Sequence, residues 1–423
     1  MNDGNHQNRQ IDLRLWQHCA VFLLACALIV SRRPDAVFHA QFWAEDGRYF
    51  FADAYNVGWW AAIFRAYGGY FHALPRLGAA FALLVPFSLA PLVLNLIAIA
   101  AQALPVNLML SARSSLWGSL RYRILLAAIY LALPNCNELF ANITNSQCLL
   151  ALSAFLLLVA STPRGPVGRL FDMSFLLLFG LSGPYCIFLL PIGFFLAWRR
   201  PDRWRWARFG ALAASCLVQA CGLLILSPNS RPHYDLGASP ALFARILAGP
   251  VYLGTLLGGS GIGLYRDAGR FTFLVCVAVV GTAMIFCCFV TAALEMRLLL
   301  LFSSMVLAAS LIAPTTRPHP GASIWQQLAG WGSIHYFFFP TLAFAWSLLW
   351  CFQSRAVVLK AVSTVLLCLM CFGIVRDWRQ PAFQDLHFAE YARRFEAAPV
   401  GTVVTIPINP EGWEMRLVKR PPE

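Results

Sequence analysis

The chain has 423 residues, of which 59% are hydrophobic, 14% aromatic and only 12% charged. An average globular protein carries roughly twice that charged fraction, which excludes an ordinary soluble domain; the apolar runs are continuous rather than alternating, which excludes a β-barrel as the spanning element. The net charge of +13 sits largely on arginines in short segments between apolar runs, the pattern that sets membrane topology, and is not a nucleic-acid footprint.

In chain order, the first apolar run covers Leu15 to Val30 and leads straight into "SRRPDAVF", with no small-residue cleavage site. It reads as a retained first helix. With the N-terminus inside, residues 32–76 form a long outer loop. Arg32, Arg33, Arg48, Arg65 and Arg76 fall in that loop against the positive-inside trend, which implies a task for them. A proline-bent segment over 77–110 returns inside, followed by helices over 123–135 and 147–160. Two short helices over 170–198 are broken at "SGPY", and a helix over 207–226 leads out. The glycine-rich stretch 240–263, with "LLGGSGIG", lies along or dips into the outer face. Helices over 271–292, 298–313, 335–352 and 357–375 complete about 11 crossings. The expectation is an all-α polytopic membrane protein, with a membrane domain over 1–375 and a small polar tail over 376–423 on the outer side. In the tail, "FAEYARRFEAA" has the pattern of an amphipathic helix and "GTVVTIPINPEGW" that of a strand and turn. Most of the thirteen cysteines lie in apolar runs and read as small buried hydrophobes, including the CxxC spacing at Cys368 and Cys371.

The chemistry concentrates in "FWAEDGRYFFADAY", Phe42 to Tyr55, where a charge-poor chain places Glu45, Asp46 and Asp53. On a helix Asp46, Tyr49 and Asp53 share a face. Phe42, Phe50, Phe51, Trp59 and Trp60 would anchor the segment at the membrane interface and hold the carboxylates just above it. A carboxylate so placed suits a general base acting on an acceptor hydroxyl, or a ligand for a divalent cation, Mg2+ or Mn2+, that neutralises a phosphate. The bland alternative is acids balancing Arg48 and Arg65 on a wet surface. A second polar loop, "PNCNELFANITNSQ", gathers Asn135, Asn137, Glu138, Asn142, Asn145 and Gln147. These suit sugar recognition, and equally the capping of the flanking helices. "NIT" at Asn142 to Thr144 also matches a glycosylation sequon.

A first helix, a large first outer loop with adjacent acids, interfacial helices and many further spans resemble the GT-C superfamily of membrane glycosyltransferases, whose shared signature is an acid pair in that loop; "AEDG" matches it at Glu45 and Asp46. The resemblance implies a bacterial inner-membrane enzyme with a periplasmic active site. It implies inverting transfer of a hexosyl or pentosyl group from a polyprenyl-phosphate carrier to a cell-surface glycan, lipid or protein. Asp46 would be the base and Glu45 its partner. The chain departs from the aminoarabinose and O-mannosyl branches in having no large soluble C-terminal domain. A leaving phosphate calls for positive charge, with Arg48, Arg231 and His233 in "SPNSRPHYD", Arg266 and Arg270 in "YRDAGR", and His335 in "GSIHYFFFP" as candidates. The alternatives are a polysaccharide polymerase or ligase and a polyprenyl-glycan flippase or transporter. The first is disfavoured because the main outer loop comes first, the second because neither internal repeats nor mid-membrane charges stand out.

Overall fold

The computed structural model describes residues 13–114, 118–226, 234–261, 271–316, 318–331 and 334–421. The chain is an all-α polytopic membrane protein with one small hairpin. Eight of its described helices are long and apolar enough to cross a membrane: Leu15–Arg32, Phe87–Leu110, Arg203–Leu226, Pro240–Leu257, Phe271–Thr291, Leu294–Ile312, Ile334–Phe352 and Val357–Arg376.

Polar contacts sort the connections to two ends of the bundle. At one end, Arg32 reaches the carbonyls of Leu131, Leu133 and Asp377, Gln219 bridges the carbonyls of Phe71 and Gly180, and His335 meets Glu138. At the other, Arg113 and Arg208 converge on Asp172, Arg200 approaches Glu295, and Trp350 donates to Thr291. The helix Pro240–Leu257 begins and ends at the first of these ends. Asp235 just before it accepts from Ile324, and Gly259 just after it donates to Asp377. It therefore lies along that face, one of the two courses expected for the glycine-rich stretch, although by length alone it could span. The other seven long helices and four shorter ones, Leu120–Ala132, Ser146–Val159, Pro166–Gly180 and Tyr185–Arg199, run alternately between the ends. That gives eleven crossings among the described residues, the number expected.

The bent segment resolves into Ala73–Ala82 and Ala90–Leu110, separated by a turn after Pro86. Only the second crosses; Pro91 sits in its first turn, where a missing N–H costs nothing. Every residue of Ser146–Val159 except Gln147 is buried, so this helix is the bundle's axis. Leu15–Arg32, Phe271–Thr291 and Val357–Arg376 instead expose apolar side chains such as Leu24, Phe286 and Val365 to the lipid side. Cys368 and Cys371 lie exposed on that surface rather than buried.

Because lipid is as apolar as a leucine face, packing and polar contacts hold such helices together. The Asp172 carboxylate, 1% exposed, accepts both Nη1 and Nη2 of Arg113 at 2.9 and 2.6 Å and Arg208 Nη2 at 2.8 Å. Arg208 also donates to the carbonyls of Leu157 and Ala160. This knot ties the ends of four helices.

The tail is not a separate appendage. It forms the helix Phe388–Ala397, then β1 (Val403–Ile408) paired antiparallel with β2 (Trp413–Val418), with Val403 opposite Val418 and Ile408 opposite Trp413. Phe388, Phe395, Ile406, Ile408, Met415 and Leu417 pack with Phe42, Phe51 and Leu94 into a second small core under the first loop.

Candidate functional site

The first loop is built differently from a surface helix. Asp46–Phe51 forms a π-helical turn that passes into the α-helix Ala52–Val57. Its wider winding breaks the single face expected for Asp46, Tyr49 and Asp53. Phe42, Phe50 and Phe51 are 2% exposed or less and form core, so they are not interface anchors. Trp59 and Trp60, with Phe64, are exposed and take that place.

Ala44 adopts a left-handed φ of 39°, uncommon for alanine, and its N–H donates to the Asn409 carbonyl. Asn409 in turn donates its N–H to the Phe42 carbonyl at 3.2 Å and its side-chain amide to Gln41 at 3.2 Å. The turn that presents Glu45 and Asp46 is thus gripped from the far end of the chain.

The two acids then part. Asp46 is 1% exposed, and the Thr144 hydroxyl donates to its Oδ1. Burial pushes the Asp46 carboxyl up to about 8, opposed by the Thr144 hydroxyl and reinforced by the charge of Glu45. Glu45 is half-buried, accepts the Tyr67 hydroxyl at 3.2 Å, and lies within electrostatic reach of His335 and Glu138. Burial raises its carboxyl also. Tyr67 stacks on Tyr49 with ring centroids 4.4 Å apart. Glu138 Oε2 accepts both Nδ1 of His335, at 2.7 Å, and its backbone N–H, at 3.2 Å. Burial would raise Glu138, but the bonds from His335 outweigh it and hold the carboxyl below its ordinary range. Four segments therefore bring Glu45, Asp46, Tyr67, Glu138, Thr144 and His335 together at one end of the bundle.

The other sequence candidates divide. Asn142 and Asn145 each donate their amide to the Glu138 carbonyl at 3.0 Å, and Asn142 Oδ1 accepts the Thr144 N–H at 2.9 Å, so both brace the loop that aims Glu138 and Thr144. Asn142 is 1% exposed, which removes it as a glycosylation acceptor in the folded chain. Asn137 turns a buried Oδ1 inward with no hydrogen-bond partner among the described residues. Arg48 is exposed and lies over the Tyr49 and Trp413 rings, at 5.6 and 5.5 Å, rather than over the acids. Asp53 is paired with Arg65 and, at 2.7 Å, with Arg76, whose buried guanidinium also donates to the Tyr49 carbonyl. Arg32 and Arg33 are likewise spent on backbone carbonyls, those of Arg32 at the end of Leu120–Ala132 and those of Arg33 at Phe140 and Pro381. Arg231, His233, Arg266 and Arg270 lie outside the described residues.

Sequence reasoning missed Thr144, Tyr67 and Asn409, and gave Arg76 a task without its partner, Asp53. The polar "NIT" run was the signal for Thr144; nothing local marks the others. No group of three or more His, Cys, Asp or Glu side chains among the described residues is arranged to hold a metal ion; Asp46 accepts the Thr144 hydroxyl and Glu138 the His335 ring.

No protein-family model matches the chain, and no curated protein does. Among solved structures, a crystal structure of the Archaeoglobus fulgidus oligosaccharyltransferase, in complex with zinc and sulfate, is similar over 90% of this chain and 56% of that one, at 14% identity and a TM-score of 0.39. The chain spans little more than half the length of that neighbour, and a likeness so distant leaves function to be argued from the site.

Proposed function

We propose that this chain is a membrane glycosyltransferase that moves a sugar from a polyprenyl-phosphate carrier to a glycan, lipid or protein acceptor, at the outer face of a bacterial inner membrane. The observation that carries the reading is the placement of Glu45 beside Tyr67, Glu138 and His335 at one end of the bundle, with Asp46 buried behind it.

The roles of the two acids reverse the order suggested by the motif alone. Asp46, buried and raised, is the protonated partner that anchors the turn on Thr144. Glu45 is the carboxylate that meets substrate, and its raised proton affinity makes it a better base near neutral pH. It takes the proton of the acceptor hydroxyl as that oxygen attacks the anomeric carbon from the face opposite the phosphate. Tyr67 and Tyr49 offer the flat aromatic wall and hydroxyls that suit a sugar ring. An apolar cleft of about 430 Å³ between Phe271–Thr291 and Val357–Arg376, floored by Tyr252 and Phe344, suits the carrier's hydrocarbon chain. It ends at Leu257, next to the turn that bonds Asp377 and so adjoins the Asn135 loop.

The test is sugar transfer by the purified chain in lipid, from a panel of labelled polyprenyl-phosphate sugars to membrane glycolipid extracts. Glu45→Gln is expected to lose a hundredfold or more while staying folded. Transfer unaffected by both Glu45→Gln and Asp46→Asn would remove the first loop from the chemistry. Glycan release or polymerisation without single-sugar transfer would favour the polymerase reading.

A further inference from the structure

The arginines of the first loop, candidates to meet a leaving phosphate, are committed elsewhere: Arg32 and Arg33 to carbonyls, Arg65 and Arg76 to Asp53, and Arg48 to the rings of Tyr49 and Trp413. The described acids do not assemble around a metal. What stands at the cluster instead is an imidazole whose geometry is fixed. The Glu138 carboxylate can only accept when ionised, so Nδ1 of His335 is the protonated nitrogen at 2.7 Å, and the backbone N–H of the same residue bonds the same oxygen. The ring lies against Tyr336 with centroids 4.3 Å apart, and Nε2 has no hydrogen-bond partner among the described residues. Both side chains are about a quarter exposed, open to a ligand yet sheltered from bulk water.

We infer that His335, held by Glu138, is the cation and general acid at the leaving phosphate, and that Glu45 and His335 exchange the proton that one turnover separates. The inference rests on the glycosyltransferase reading above. In the step, the acceptor oxygen forms its bond to the anomeric carbon and its proton passes to Glu45. The bond from the anomeric carbon to the phosphate oxygen breaks, its electron pair stays on that oxygen, and the oxygen takes the Nε2 proton of His335. The products are the glycosylated acceptor and the lipid monophosphate. Glu45 is then protonated and His335 neutral, and return of the proton across the cluster restores both. Facing His335 are Glu138 from the 133–145 loop, Glu45 from the first loop and the Tyr336 ring, and Glu138 sets which nitrogen points to substrate.

The experiment is the pH profile of kcat for the full chain in phospholipid nanodiscs, with polyprenyl-phosphate sugar as donor and chelator present throughout. Wild type is expected to lose activity on the alkaline side as the imidazolium deprotonates. His335→Gln is expected to lose at least a hundredfold and that alkaline limb together. His335→Lys, which keeps a charge, should retain at least tenfold more than the glutamine variant, with its limb moved to higher pH. Glu138→Gln, a milder change should either histidine variant misfold, should move the wild-type limb to lower pH while leaving the acceptor KM unchanged. A glutamine variant within threefold of wild type, an unchanged limb in Glu138→Gln, or activity abolished by chelator and restored by metal would each overturn the inference while leaving the enzyme reading intact. If Glu45→Gln and Asp46→Asn both transfer at the wild-type rate, or wild type transfers from no donor in the panel, the reading itself falls and this inference with it.

Discussion

Gly47→Ala probes the grip of the C-terminal hairpin on the acid pair. A Cβ at position 47 would lie 3.0 Å from Ile408 Cδ1, 3.0 Å from Phe42 Cβ and 3.2 Å from Phe42 Cγ. Ile408 can withdraw its terminal methyl. Phe42 cannot move as easily, because it is 1% exposed and its ring is packed against Phe51, Phe87 and Phe388 at centroid distances of 5.0, 6.2 and 5.4 Å. Overpacking of this kind costs about 1–3 kcal/mol, and the squeezed residue sits between two obstacles, so a value near ~2 kcal/mol is expected. The turn must shift by a few tenths of an ångström, which carries Glu45 and Asp46 with it. A displacement near 1 Å costs about a hundredfold in rate, so a shift of this size should cost roughly three- to tenfold. The assays are the thermal unfolding midpoint in detergent and the sugar-transfer rate. Ile408→Val alone should cost ~1 kcal/mol, yet in the Gly47→Ala background it removes the one clashing methyl, Ile408 Cδ1, and should recover part of the loss. The reasoning fails if Gly47→Ala matches wild type in both midpoint and rate, or if the two substitutions simply add.

Other outcomes follow from single contacts. Asp172→Ala strands the buried Arg208 beside Arg113 and should cost about 3–5 kcal/mol, seen as lost yield and a lowered midpoint, whereas Glu295→Gln, at 3.9 Å from an exposed Arg200, should be silent. Arg76→Ala removes the buried bonds to Asp53 and the Tyr49 carbonyl and should destabilise the first loop by about 3 kcal/mol; protease sensitivity between residues 47 and 72 would report it. For Asp46, folding raises the carboxyl from 3.8 to about 8, so the folded state holds the proton more tightly and the stability linked to it is present below about pH 4 and lost as pH rises towards 8. Asp46→Asn should therefore flatten the decline of the unfolding midpoint between those pH values. For Glu138 the sign is opposite: its lowered carboxyl contributes stability above the unfolded value of 4.5 that is lost as pH falls, and Glu138→Gln should reduce that acid-side loss.

The spans were legible because long continuous apolar runs have few alternatives: the break at "SGPY", the proline-bent turn and the glycine-rich stretch all appear where the sequence puts them. That the two polar loops have partners was legible for the same reason, since polar groups cluster at membrane depth only when satisfied. Their partners were not. Asp46 meets Thr144, Glu138 meets His335 and Ala44 meets Asn409 through tertiary packing that no local spacing encodes. The π-helical turn misled the face assignment, because helical periodicity was applied at 3.6 residues per turn where the backbone winds wider. Aromatic residues misled in part as well: composition does not tell a phenylalanine that anchors in lipid headgroups from one that fills a small core.

The contact between hairpin and first loop also sets an order in time. Asn56 bonds the Arg416 carbonyl across 360 residues of sequence, and Ala44 waits for Asn409. During synthesis the first loop is delivered early and spends the insertion of all later helices without the strand that closes its turn. A chain that stalls or is cut before residue 409 can hold every membrane helix and still leave Glu45 and Asp46 unsupported. Support for the turn that carries the two acids therefore arrives in a single late step.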